Sequence, residues 1–400
     1  MREFSFEEVE AATGGFAAKN LVGKGSHGNV YVARLVCGGD GGGGRVRKKK
    51  VVVVAVKRAS HALGEAKLAN EIAVLAAAGE VAGVVNLVGV AAGRREGERM
   101  LVMEYMADGS LHDLLHRPTT ARQPPPPWPR RVEIALDVAE AVRALHGGEP
   151  RVIHRDVKSA NILLGRDGRA RLADFSLAVK VPAAPGGGGA TAAAAGPAPA
   201  GTIGYLDPCY TEPSRLGPES DVFSFGVVLL ELVSGRKVMD VSASPSSIVA
   251  WAVPLVAAGM AREVFDGRLP APRRAREERA VARVLAVAAR CVSEAVERRP
   301  AMSDVVAELH AALESAGWPR RPRRRGDAHG LAGTLYRRVV SWAASRLHVR
   351  RRRVRTSKIE CTEHSGSEGS GAQAQPNYPE NDHITLEETI RISRSGPFKK

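Results

Sequence analysis

Apolar residues along this chain fall into short blocks, and each block predicts an element. Val30-Tyr31-Val32-Ala33 is rich in β-branched and aromatic residues and predicts a strand. Val51-Val52-Val53-Val54-Ala55-Val56 is a continuous apolar run, too short to span a membrane, and predicts a buried strand. Leu68, Ile72 and Leu75 give the segment around them one buried helical face. Leu101-Val102-Met103-Glu104-Tyr105-Met106 predicts a further buried strand, and Ala107-Asp108-Gly109-Ser110-Leu111 a turn and a helix start. An apolar helix is expected from Ser220 through Val233, and another over 130–146 behind the stiff run Pro124 to Pro127. At the N-terminus Ser5 and Glu8 form a capping box, and Phe4 and Val9 a hydrophobic staple. A short capping helix is therefore expected within residues 1–15.

Polar residues break this pattern where packing alone does not explain them. Lys57 ends the valine run, and a lysine there is costly without a partner. Gly23-Lys24-Gly25-Ser26-His27-Gly28-Asn29-Val30 reads G-x-G-x-x-G-x-V and is followed by a strand rather than a helix. Glycines in such a loop let backbone amides approach phosphates without a Cβ in the way. Further on stand His154-Arg155-Asp156-Val157-Lys158-Ser159-Ala160-Asn161 and Asp174-Phe175-Ser176. Phosphoryl transfer from ATP needs a carboxylate beside the attacking hydroxyl, and oxygen ligands that hold Mg²⁺ against the phosphates. Asp156 fits the first need, and Asn161 and Asp174 fit the second.

These segments, in this order, resemble those of a eukaryotic protein kinase. The resemblance covers about residues 4 to 314, and three phrases give it the character of plant receptor-like cytoplasmic kinases. They are Phe4-Ser5-Phe6-Glu7-Glu8-Val9-Glu10-Ala11-Ala12-Thr13, Gly201-Thr202-Ile203-Gly204-Tyr205-Leu206-Asp207-Pro208 and Glu297-Arg298-Arg299-Pro300-Ala301-Met302. The resemblance implies a bilobal α+β fold, with a small β-rich lobe over about 16–104 and a larger, mostly helical lobe over about 105–314. It implies ATP and Mg²⁺ as cofactors, with Mn²⁺ fitting the same donors, and protein hydroxyls as acceptors. Gly23, Gly25, Gly28, Val30 and Ala55 would line the nucleotide. Lys57 would hold its phosphates and pair with a glutamate on the next helix, Glu71 rather than its rival Glu65. Met103 would stand behind the adenine, and the backbones of Glu104 and Met106 would bond its edge. Asp221 would bond the backbone of the His154-Arg155 turn. Lys158, two residues after Asp156, is of the serine/threonine type, with Thr202 bridging toward Asp156 and Lys158. Arg155 beside the catalytic aspartate implies activation by phosphorylation, with Thr191 and Thr202 as candidate sites.

Two positions depart from the family pattern. Ser176 replaces the glycine of D-F-G, which is expected to stiffen movement of Phe175. Cys209 replaces a glutamate that normally pairs with a late arginine, here Arg299, which must then find another acceptor or face water. Both raise the alternative of a weakly active pseudokinase scaffold.

Composition adds bounds. Four hundred residues exceed one compact core, and a two-lobed domain plus a tail accounts for them. Cys37, Cys209, Cys291 and Cys361 lie far apart with no zinc spacing, which suits a reducing compartment. With no signal peptide or membrane-length apolar run in view, Arg2 at the second position and Phe398-Lys399-Lys400 at the end, no lipid anchor is expected. A cytoplasmic location is expected, peripheral at the plasma membrane or nuclear as alternatives. Gly38 through Lys50 and Pro182 through Ala200 are low-complexity insertions expected to be mobile surface loops. The charge of +15 is uneven: residues 316–400 carry 18 Lys or Arg against 8 Asp or Glu. Residues 315–358 are read as a basic tail in which Leu331, Leu335, Val339 and Trp342 fall at helical spacing, and 359–400 as a disordered tail. The arginines of 320–355 suit an anionic membrane surface or a solvated tail. Without interleaved aromatics they do not indicate specific nucleic-acid binding. An upstream receptor kinase is the expected regulatory partner.

Overall fold

The structure is a computed structural model that describes residues 1–25, 27–37, 50–95, 97–118, 120, 124–181 and 197–319. Thr191, most of the 182–200 insertion and everything from Arg320 onward lie outside the described residues, so the expectations placed on them do too. In the first lobe, strands β1 (Arg2–Phe4), β2 (Leu21–Lys24), β3 (Gly28–Cys37), β4 (Lys50–Ala59), β5 (Leu87–Ala92) and β6 (Arg99–Glu104) form one sheet. Their order is β1-β5-β6-β4-β3-β2. Helices α1 (Phe6–Thr13) and α2 (Ala62–Ala78) pack on its two faces. The second lobe holds α3 (Leu111–His116), α4 (Trp128–His146), short strands β7 (Arg151–Ile153), β8 (Ile162–Leu164), β9 (Ala170–Leu172) and β10 (Val179–Val181), then α5 (Pro218–Ser234), α6 (Ile248–Ala257), α7 (Ala275–Cys291) and α8 (Met302–Ala316).

The period of two along β4 decides where the lysine goes. Val54 and Val56 join one apolar cluster with Phe4, Phe6, Val9, Ala33, Leu35, Met100 and Val102. Ala55 joins the other, with Leu68, Ile72 and Leu75 of α2 and Leu101 and Met103 of β6. Successive strand side chains alternate faces, so Lys57 follows Ala55 toward α2. The ten-residue register of β3 with β4 runs from Gly28 opposite Ala59 to Cys37 opposite Lys50, and it sets Val30 opposite Lys57.

The expected N-terminal helix is present as α1, with Ser5 accepting from the Glu8 N–H and Glu8 accepting from the Ser5 N–H. It is preceded by a strand that the sequence did not reveal: β1 pairs in parallel with β5, Arg2 opposite Gly89 and Phe4 opposite Ala91. The helix expected over 130–146 begins two residues earlier, at Trp128, with a proline in its first turn where a missing N–H costs nothing. Helix α5 is buried from Ser220 to Ser234 on every face, as a helix apolar all round must be. The charges it carries inside, Asp221 and Glu231, are each fully bonded, as buried charges need to be.

Candidate active site

Between the lobes, β4 and α2 bring Lys57 and Glu71 together, and the β9–β10 connection adds Asp174. Lys57 Nζ lies 2.7 Å from Glu71 Oε2 and 2.9 Å from Asp174 Oδ1. Glu71, rather than Glu65, is the partner. Its second oxygen accepts from the Phe175 N–H at 3.2 Å, so one buried carboxylate fixes both the lysine and the turn that carries Asp174. Burial disfavours the Lys57 charge, but the two carboxylates outweigh it and hold the ammonium well above its ordinary pKa. Burial likewise works against the Asp174 charge, and the Lys57 ammonium holds that carboxyl well below the usual carboxylate range.

A second group closes on Asp156. Lys158 Nζ donates to Asp156 Oδ2 at 2.8 Å and to Thr202 Oγ1 at 2.7 Å, and Thr202 donates to Asp156 Oδ1 at 2.6 Å. Asn161 Nδ2 donates to the Asp156 carbonyl at 2.9 Å and to Oδ2 at 3.0 Å, which leaves its amide oxygen as an acceptor. The turn beneath is set from α5. Asp221 accepts from the His154 N–H and the Arg155 N–H, both at 2.8 Å, and from His146. His154 donates from Nε2 to the Ala173 carbonyl at 3.1 Å, so its Nδ1 accepts from the Asp156 N–H at 3.3 Å. Arg155 and Asp174 sit at φ 68° and 62°. A non-glycine residue in the left-handed region costs about 1–3 kcal/mol and persists only where its surroundings over-determine it. The Asp221 carboxylate and the Lys57 ammonium supply that restraint.

The family described as protein tyrosine and serine/threonine kinase matches residues 16–309. This chain belongs to the protein kinase family. Among its relatives are two serine/threonine-protein kinase-like proteins of Arabidopsis thaliana. One is 41% identical over 333 residues, covering 81% of this chain and 66% of the relative. The other is 43% identical over 326 residues, covering 78% and 88%. A PTI1-like tyrosine-protein kinase 3 of the same organism is 36% identical over 325 residues, covering 78% and 73%.

In this kinase the remaining expected positions fall as follows. Met103 and Met106 are buried, and Met103 pairs with Ala55 across β4 and β6. The Glu104 N–H donates to the Asn86 carbonyl at 3.0 Å, so Glu104 has only its carbonyl to offer a nucleotide edge. A Cβ on Gly28 would come within 2.4 Å of the Arg58 carbonyl oxygen, which is why the glycine loop returns to β4 only through glycine. Asp174 and Asn161 present hard oxygen donors of the kind that suit a divalent cation.

Both departures have a place in this arrangement. Ser176 has no positive φ, so in this arrangement its position makes no demand that only glycine meets. Arg299 does not face water: it pairs with Asp207, Nη1 to Oδ2 at 2.6 Å and Nη2 to Oδ1 at 2.9 Å, and donates to the Ser293 and Glu219 carbonyls. Arg155 has no carboxylate partner among the described residues. Its guanidinium donates to the Leu177 and Ala198 carbonyls and the Tyr210 hydroxyl, while its Nε is buried without a partner.

Two elements of the site escaped the sequence. Asn70 Nδ2 lies 3.4, 3.2 and 2.9 Å from the carbonyls of Phe175, Ser176 and Ala178, and ties the turn after Asp174 to α2. Glu231 of α5 collects His116, Ser159 and Tyr205 at 2.7 to 2.8 Å, joining the loop after Asp156 to the segment after Thr202. An asparagine before a glutamate, or a glutamate in an apolar helix, carries no local signal of either role.

Proposed function

We propose that this kinase transfers the γ-phosphoryl group of ATP, with Mg²⁺ or Mn²⁺, to serine or threonine hydroxyls of proteins. The closed Asp156–Lys158–Thr202 triangle, together with the Lys57–Asp174 pair, carries this reading. A bound divalent ion neutralises charge on the phosphate oxygens; Asp174 and Asn161 are the residues that would hold it. Lys57, fixed by Glu71, would hold the α- and β-phosphates. Asp156 orients the attacking hydroxyl and accepts its proton. Lys158 neutralises charge that develops beside it, and Thr202 keeps both side chains in register.

The ordinary backbone of Ser176 and the Asp207 partner of Arg299 support turnover over the pseudokinase alternative. One relative is named a tyrosine-protein kinase, but the lysine at 158 and its bond to Thr202 favour serine and threonine. Incubating the purified chain with γ-labelled ATP, Mg²⁺ and a degenerate peptide library tests the assignment, and absence of transfer rejects it. An upstream receptor kinase is the proposed regulatory partner; one relative is itself described as a probable receptor-like serine/threonine-protein kinase. No helix among the described residues is long and apolar enough to cross a membrane. The arginines of 320–355 support contact with an anionic membrane surface, each adding about 1 kcal/mol. Sedimentation with phosphatidylserine vesicles, with and without residues beyond Gly317, tests that contact; equal recovery rejects it.

A further inference from the structure

Helix α2 offers Lys67, Asn70 and Glu71 at positions i, i+3 and i+4, which share one helical face. Glu71 holds Lys57, and Asn70 holds the turn after Asp174. Lys67 reaches the glycine loop of the same lobe: its Nζ lies 2.6 Å from Nε2 of His27, at the tip of that loop. An ammonium only donates, so His27 accepts at Nε2 and carries its proton on Nδ1. Gly64, in the first turn of α2, makes room for the same approach. A Cβ there would come within 2.2 Å of the His27 carbonyl oxygen. The loop tip therefore rests on the backbone of α2 as well as on its lysine. Burial, and then the Lys67 charge, hold the His27 ring below its ordinary pKa, which keeps it a neutral acceptor. Asp174, Lys57 and His61 also lie within electrostatic reach of the ring, which places it near the phosphate-binding groups.

We infer that Lys67, acting through His27, is a positioning residue that clips the tip of the glycine loop to helix α2, the helix that carries Glu71. One helix then governs three parts of the nucleotide site. Lys67 holds the glycine loop above it, Glu71 the phosphate-binding lysine, and Asn70 the turn that carries Asp174. The inference rests on reading the cleft as an ATP site.

The test uses the full chain, titrated calorimetrically with a non-hydrolysable ATP analogue and Mg²⁺, alongside steady-state kinetics with a peptide acceptor. Lys67→Ala and His27→Ala are each expected to raise the analogue Kd and the KM for ATP about three- to tenfold, the range of one net hydrogen bond. The same variants keep kcat within about twofold, because the lost contact acts on binding. The double variant is expected to be no worse than either single one, and Lys67→Arg to retain most of the affinity. Gly64→Ala, which leaves both side chains in place, is expected to weaken the analogue by lifting the loop tip. Parent-like KM in Lys67→Ala, or effects that multiply in the double variant, overturns the clip. Asp174→Ala separates the two readings. If that variant loses Mg²⁺-dependent analogue binding while Lys67→Ala behaves as the parent, only the clip is wrong. If Asp174→Ala binds the analogue as the parent does, the nucleotide-site reading itself fails.

Discussion

Asp207→Ala probes how this kinase compensates for its own departure at Cys209. The Arg299 side chain has no solvent exposure, and its two terminal nitrogens meet the Asp207 oxygens at 2.6 and 2.9 Å. Removing the carboxylate leaves the guanidinium 5.2 Å from the Phe223 ring, with only the Ser293 and Glu219 carbonyls to receive it. Breaking a buried pair from one side costs about 3–5 kcal/mol, because the surviving charge stays desolvated. At about 2–4 °C per kcal/mol in a large domain, the melting temperature should fall by roughly 6–20 °C. Differential scanning fluorimetry reads this directly. Cys209→Glu in the Asp207→Ala background supplies a carboxylate two residues away and should recover part of the loss. Cys209→Glu alone should change little, since the Arg299 donors are already taken. A shift smaller than about 2 °C in Asp207→Ala refutes the assignment.

Asp156→Asn keeps size and most hydrogen bonding but removes the proposed proton acceptor; turnover should fall by about 10²–10⁴ while nucleotide binding persists, and unchanged turnover in the labelled-ATP assay contradicts the proposed mechanism. Asp174→Ala should weaken metal-dependent nucleotide binding more than Asn161→Ala, because a full charge is lost; calorimetry with and without Mg²⁺ checks the order. Burial pushes the Asp137 carboxyl up to about 6, even with Arg169 beside it. A folded-state pKa raised above the unfolded value gives stability that is present in acid and lost as pH rises through about 6, here about 3 kcal/mol. Asp137→Asn should therefore flatten the melting temperature between about pH 4 and 6 relative to the parent, and parallel curves for the two proteins count against it.

What the sequence disclosed is what chemistry or periodicity pins locally. A lysine ending a valine run must find a buried carboxylate, and Lys57 finds Glu71. An apolar stretch long enough for a helix becomes α5. The capping box at Ser5 and Glu8 folds as written because both partners lie within one turn. What stayed hidden depends on pairs far apart in the chain. Asp207 meets Arg299 across 92 positions. Arg2 lies beside Gly89, and a three-residue strand carries too little pattern to announce itself. Residue identity bounds a backbone angle without fixing it: in the turn after β9 the left-handed angle falls on Asp174 and not on Ser176.

The first strand has a consequence for anyone who trims this protein. The family match begins at residue 16, yet Phe4, Phe6 and Val9 fill the outer cluster of the small lobe, and β1 closes the rim of its sheet. A chain cut at residue 16 would bare the amides and carbonyls of Gly89 to Ala91 beside a stripped apolar surface. An open rim of that kind is a template on which a second chain can lay its own strand. The shortened protein would then gather into dimers and larger aggregates, and its poor behaviour in solution would be mistaken for instability of the catalytic fold.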